Sequence, residues 1–213
     1  MWTGPGYEIR DPRPIAASAP YTFFMPSEAE VGSIGLDDWI QVIIAAVPPS
    51  AKWEAERLWF AVTSTSDEAI KARLESEPRD IGALPKGSVI AVPRAAVIDV
   101  IFKDGRPLPP GGRQYWDRCF VDAIVLRRRQ KVDYIYREEP EGREADRDPD
   151  SGWRIRASQE GVTAKEIEEL GVEYVALGKV LNVDDSWLHL IDAPVGSRFF
   201  REGTAGKWSA ETP

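Results

Sequence analysis

The sequence predicts an α+β protein of two small β-rich units, the first a strongly bent sheet or small barrel, the second a sheet with one or two short helices. Three observations carry that expectation. Short apolar runs rich in β-branched and aromatic residues recur along the chain, a Pro/Gly cluster at 103–112 interrupts them, and "TAKEIEEL" at 163–170 holds a complete helix start. At 213 residues and 43% hydrophobic content, the chain can bury real cores in one large or two small domains.

Residues 1–35, with many Pro, Gly, Ser and Ala, read as an arm lying on a first domain at 36–102. In that domain "WIQVIIAAV" (39–47) and "RLWFAVTS" (57–64) suit a pleated, half-buried surface. In "AIKARLESEP" (69–78), Ile70, Ala72 and Leu74 alternate with Lys71, Arg73 and Glu75. That period of two predicts a strand, although Ala, Lys, Arg, Leu and Glu all favour helix. Gly87 turns the chain into a strand at Ser88–Val92, which Pro93 stops, and "AAVIDVIF" adds a last short element. Five short elements on tight turns point to a sheet that bends on itself.

"KDGRPLPPGG" (103–112) can continue neither strand nor helix and reads as a linker. The second domain, 113–213, opens with "YWDRCFVDAIVL" and "KVDYIYR", expected as two strands around a hairpin loop at "RRRQ". Three arginines there read as a solvated turn that pairs with acidic neighbours, because a nucleic-acid footprint needs a broader basic face. "GWRIRAS" alternates Trp153, Ile155 and Ala157 with Arg154 and Arg156. Thr163 followed by Glu166 is a capping box, and Gly171 stops the helix. "EYVALGKVLNV", "SWLHLI" and "GSRFF" complete the unit.

Much chemistry is excluded by composition. A single histidine, His189, rules out histidine triads and two-histidine metal sites. Cys119, the one cysteine, lies in an apolar run and reads as a small core residue. The glycine pairs lack the strand-before, helix-after setting of a phosphate loop, and Ser151 in "DSGW" lacks the flanking glycines of a nucleophile elbow. No run of apolar residues is long enough to span a membrane and the N-terminus resembles no secretory signal, so the cytoplasm is the expected compartment. No cofactor or metal is called for.

The charge is uneven. Residues 1–130 carry 16 Lys+Arg against 17 Asp+Glu, whereas residues 131–213 carry 11 against 18. An acidic surface repels phosphate backbones and suits a basic protein partner rather than nucleic acid. Seven of the thirteen residues from Glu138 to Asp150 are acidic. The carboxylates do not follow calcium-loop spacing, and adjacent Glu138 and Glu139 would point to opposite faces of a strand rather than converge on a glycosidic bond. The candidate partner-binding residues are therefore Arg137, Glu138, Glu139, Glu141, Glu144, Asp146, Asp148 and Asp150. Tyr136 and Trp153 are expected in the core. The competing arrangement is a cleft around Tyr136, Arg137, Glu138 and Trp153 that orients a small polar ligand, as a binder or an enzyme.

One set of motifs in the second domain is specific in combination. Tyr136 to Pro140 ends a strand and Asp150, Ser151, Gly152 and Trp153 begin the next. A helical piece follows, then an Asn-x-Asp turn at Asn182 and Asp184, then Asp192, Pro194, Gly196 and Phe199. Across roughly 118–202 this resembles the thirty-third family of predicted immunity proteins from bacterial polymorphic-toxin systems. The resemblance implies a protein that neutralises a toxin by contact, without catalysis. Immunity proteins commonly present carboxylates to a basic toxin surface, which gives the acidic connection a role. The first domain resembles a second bacterial family of unknown function through Glu56, Arg57 and Trp59, "LESEP" and "PKGSVIAV", with Ser88 where that family has aspartate.

Overall fold

The computed structural model describes residues 2–105, 113–142 and 148–211. The chain divides into two compact units, one of Met1–Ser18 and Phe23–Gly112, the other of Ala19–Thr22 and Arg113–Pro213. Most of the expected linker, 106–112, lies outside the described residues.

The first unit contains strands β1 (Trp2–Gly4) and β2 (Tyr7–Ile9), helices α1 (Arg13–Ser18) and α2 (Glu28–Gly32), and strands β3 (Trp39–Ala46), β4 (Glu56–Thr65), β5 (Ala69–Leu74), β6 (Val89–Pro93) and β7 (Val97–Ile101). Among the described residues these strands form one sheet in the order β1-β2-β3-β4-β5-β6, with β7 also on β3. β5 follows its alternation: Ile70, Ala72 and Leu74 are fully buried while Lys71 and Arg73 face out. Three residues in a 3-10 turn, Arg94–Ala96, take the chain from β6, beyond β5, to β7, against β3. So short a link closes only if the sheet curls round, which gives the nearly closed barrel. Its centre holds Ile40, Val42, Ile44, Phe60, Val62, Ile70, Leu74, Val92 and Val97.

Part of the expected arm belongs to this sheet. Gly6, at φ +76°, turns β1 into β2, and Tyr7, Glu8 and Ile9 pair with Ala46, Ala45 and Ile44. Three-residue strands carry too little alternation to be read from sequence.

The second unit holds β8 (Arg118–Asp122), α3 (Ala123–Arg128), β9 (Val132–Arg137), β10 (Asp150–Ala157), α4 (Ala164–Leu170), β11 (Val172–Ala176), α5 (Leu177–Leu181), a 3-10 turn at Leu188–Leu190, β12 (Arg198–Arg201) and β13 (Trp208–Ala210). Their order is β11-β8-β10-β9-β12-β13, and β8 and β10 run parallel. The expected hairpin around "RRRQ" is absent. Ala123–Arg128 is a helix, and β10 sits between β8 and β9. Asp122 ends β8, its carboxylate accepting from Ala157 N at 2.9 Å and Arg156 Nη1 at 2.9 Å on β10. Arg127 and Arg128 do pair with acidic neighbours, Glu173 at 2.8 Å and Glu166 at 3.1 Å. One face of the sheet supplies Cys119, Val121, Ile135, Trp153, Ile155 and Val175 to a core closed by Ile124 and Val125 of α3 and Val180 and Leu181 of α5. Cys119 is buried there, and burial raises its thiol pKa.

Candidate partner-binding site at the acidic connection

The connection from β9 to β10 is pinned at its base by the Asp-Ser-Gly-Trp segment. Gly152 has φ +81°, and a Cβ there would lie 2.2 Å from the Glu138 carbonyl oxygen, so glycine alone fits this crossing. Glu138 N donates to the Gly152 carbonyl at 2.9 Å, and the pairing of β10 with β8 shifts register between Asp150 and Arg154. The shift is a bulge that re-aims the chain. Ser151 Oγ donates to the Arg118 carbonyl at 2.6 Å, a structural use of the hydroxyl that agrees with reading this serine as part of a turn.

Asp150 is the centre of the base. It accepts from Glu141 N at 2.8 Å, Gly152 N at 3.1 Å, and Arg154 Nη1 and Nη2 at 3.1 and 3.0 Å. Burial by itself would raise the Asp150 pKa; the Arg154 pair and the two backbone donors together outweigh it and hold the carboxyl below its ordinary value. Arg154 also reaches Glu138 Oε2 through Nε at 3.0 Å and lies 4.7 Å over the Phe120 ring.

Two of the eight expected contact residues are therefore turned inward. Asp150 has a fully buried side chain. Arg137 donates to the carbonyls of Ser151 at 3.0 Å and Ala193 at 2.7 Å, with its guanidinium 5.7 Å from the Trp153 ring. Each sits where strand alternation and the bulge direct it toward protein. Glu138, Glu139 and Glu141 are exposed, with Pro140 exposed between them, and Asp148 is half-buried. Glu144 and Asp146 lie outside the described residues.

The small-ligand cleft does not assemble. Trp153 pairs with Arg137 and faces the core, fully buried, its Nε1 donating to the Ile191 carbonyl at 3.2 Å. Tyr136 pairs with Arg154 on the other face, half-buried, and its hydroxyl accepts from Arg156 Nη2 at 3.3 Å. Successive residues on a strand point to opposite sides, so Tyr136 and Arg137 cannot line one cavity. A depression of about 410 Å³ exists elsewhere, at the far end of β10, lined by Asp122, Arg156, Ile167 and Val172 among others. Among the described residues no cluster of His, Cys, Asp and Glu could hold a metal ion, and no helix is long and apolar enough to cross a membrane.

The remaining motif residues brace the same strands. Pro194 and Ser197 close a turn through Ser197 N to the Pro194 carbonyl at 3.1 Å, with Gly196 at φ +91° inside it. Gly196 N donates to the Arg137 carbonyl at 2.7 Å. Asp184 accepts from Val132 N at 3.0 Å and Arg201 Nη2 at 2.9 Å, joining β9 to β12. Asn182 clasps residues 21 and 22. Tyr136 to Pro140, Asp150 to Trp153, Asp184 and Gly196 thus act on β9, β10 or the turns that hold them, while Asn182 holds the turn at 21–22 and Asp192 pairs with Arg113 at 2.6 Å. The stretch 119–211 matches the Immunity protein Imm33 domain. This Imm33 match covers somewhat less than half of the chain and falls wholly within the second unit. No curated protein and no solved structure matches the chain. Within the Imm33 stretch sequence reading missed Arg154, whose spacing of four from Asp150 gives no signal on a bulged strand. It also missed Arg201, which looks like any strand-end charge.

Proposed function

We propose that this protein is a non-catalytic, cytoplasmic immunity protein of a polymorphic-toxin system, and that its second unit neutralises a toxin by direct contact through the acidic connection after β9. The Imm33 match carries the reading, since an immunity domain implies a toxin partner. The geometry at the base supports the choice of surface. Once Asp150 and Arg137 are committed to holding the ends of the connection, the exposed Glu139 and Glu141 follow directly from a fixed root. Fixing the root limits the ordering that binding would otherwise require, and an excess of negative charge, seven carboxylates against Arg143 and Arg147 over residues 138–150, speeds encounter with a basic surface. The proposed toxin surface is accordingly basic.

The test is affinity capture from the native host with identification of the captured protein, followed by co-expression of that protein's toxic domain. Growth rescue by the wild type, with loss of rescue when Glu139, Glu141, Glu144, Asp146 and Asp148 are neutralised together, is the expected result. Rescue that survives neutralisation would move the contact elsewhere on the second unit. Failure to rescue with any captured protein would overturn the immunity assignment.

A further inference from the structure

Residues 19–22 group with the second unit although the residues on both sides of them belong to the first. They form a turn, with Thr22 N donating to the Ala19 carbonyl at 3.1 Å and Pro20 at its second position, where a fixed φ favours turning. The side chains and backbone of this turn are read in detail. The Asn182 carboxamide accepts from Tyr21 N at 2.9 Å through Oδ1 and donates to Thr22 Oγ1 at 2.7 Å through Nδ2. Tyr21 OH donates to Asp185 Oδ2 at 2.7 Å, and the ring meets Tyr115 edge-on at 5.8 Å. Gly178 makes room for the approach, since a Cβ there would lie 2.5 Å from the Tyr21 carbonyl oxygen.

We propose that the second unit carries a turn-recognition groove, built by Tyr115, Gly178, Asn182 and Asp185, and that Ala19–Thr22 is its resident ligand. The ligand class is a proline-initiated turn presenting a tyrosine followed by a hydroxyl residue. Each feature has a partner: the carboxamide reads one backbone N–H and one hydroxyl, the carboxylate reads the phenol, and the missing Cβ admits the carbonyl. Simple packing would require shape alone. The residues of the ligand lie outside the stretch matched by the immunity domain, so the first part of the chain completes the second unit. Asn182 is separated by one residue from Asp184, which ties Val132 N to Arg201, so the seated turn steadies the link between β9 and β12.

Because the turn is tethered at both ends, a free peptide competes poorly with it in the wild type. The experiment therefore empties the groove in the full chain with Tyr21→Ala and Thr22→Ala and titrates a labelled peptide of residues 17–23. Binding to the emptied chain, at least about tenfold weaker binding to the wild type, and loss of binding on adding Asn182→Ala are the expected results. A folded, emptied chain that does not bind the peptide overturns the proposal, as does binding that ignores Asn182→Ala. If the emptied chain does not fold, hydrogen exchange in the wild type and in Thr22→Val decides. The Tyr21 amide should be protected in the wild type and exchange at least about tenfold faster in the variant. No protection, or no acceleration, rejects the groove.

Discussion

At Asp150, one buried carboxylate meets two backbone N–H groups and a guanidinium, and the same Arg154 is nearly buried itself. Removing one partner strands the other. Asp150→Asn should cost about 3–5 kcal/mol in urea unfolding, the range for breaking a buried ion pair from one side. The pH dependence has a definite sign. Asp184 behaves like Asp150: burial raises its pKa, but its hydrogen bonds from Ser186 and Val132 and the charge of Arg201 outweigh that, so both carboxyls titrate below their unfolded value. Their contribution is complete above the unfolded pKa of about 3.9 and is lost as pH falls through the lower folded value. Wild-type unfolding midpoints should thus drop on acidification below about pH 4, and Asp184→Asn should show a flatter drop. Gly152→Ala tests the crossing with Glu138. With a positive φ and no room for a Cβ, it should destabilise by more than about 1 kcal/mol, whereas an exposed substitution such as Gly142→Ala should stay within about half a kcal/mol.

The helix α4 shows what a local signal can specify. Thr163 Oγ1 accepts from Glu166 N at 3.2 Å, and Glu166 Oε2 accepts from Thr163 N at 3.0 Å, completing the capping box expected from sequence. Thr163→Ala should cost about 1 kcal/mol, whereas Thr163→Ser, which keeps the capping hydroxyl, should leave the unfolding midpoint nearly unchanged. Elements with a clean period or cap, β5 and α4, were readable from the chain alone. "RCFVDAIVL" was not, because a continuous apolar run fits a buried strand and a buried helix equally and only Asp122, by capping two groups on β10, divides it. α2 carried a readable signal that the arm expectation passed over: Ser27 and Glu30 form a capping box. The base of the acidic loop was readable only in outline. Its motif residues stood out, but the inward turn of Asp150 depends on the register shift between Asp150 and Arg154, which neither composition nor period reveals, whereas Arg137 follows the ordinary alternation of β9 from Ile135.

Across the whole molecule the negative charge concentrates after residue 130, and the fold gathers part of it on one connection rooted by a buried ion pair. Such a cluster acts chiefly on association, with a reach limited to about 8 Å at physiological salt. Folding should be nearly indifferent to neutralising Glu139, Glu141, Glu144, Asp146 and Asp148, since that leaves the Asp150, Arg154 and Glu138 contacts at the root unchanged. The most direct measurement is therefore the association rate with the captured toxin domain as a function of ionic strength. It would compare the wild type with a chain carrying Glu139→Gln, Glu141→Gln, Glu144→Gln, Asp146→Asn and Asp148→Asn. The wild-type rate should fall by more than about tenfold between low and high salt, while the neutralised chain, with an unchanged unfolding midpoint, should change by less than about threefold. Parallel salt dependence in the two proteins would contradict a steering role for this loop.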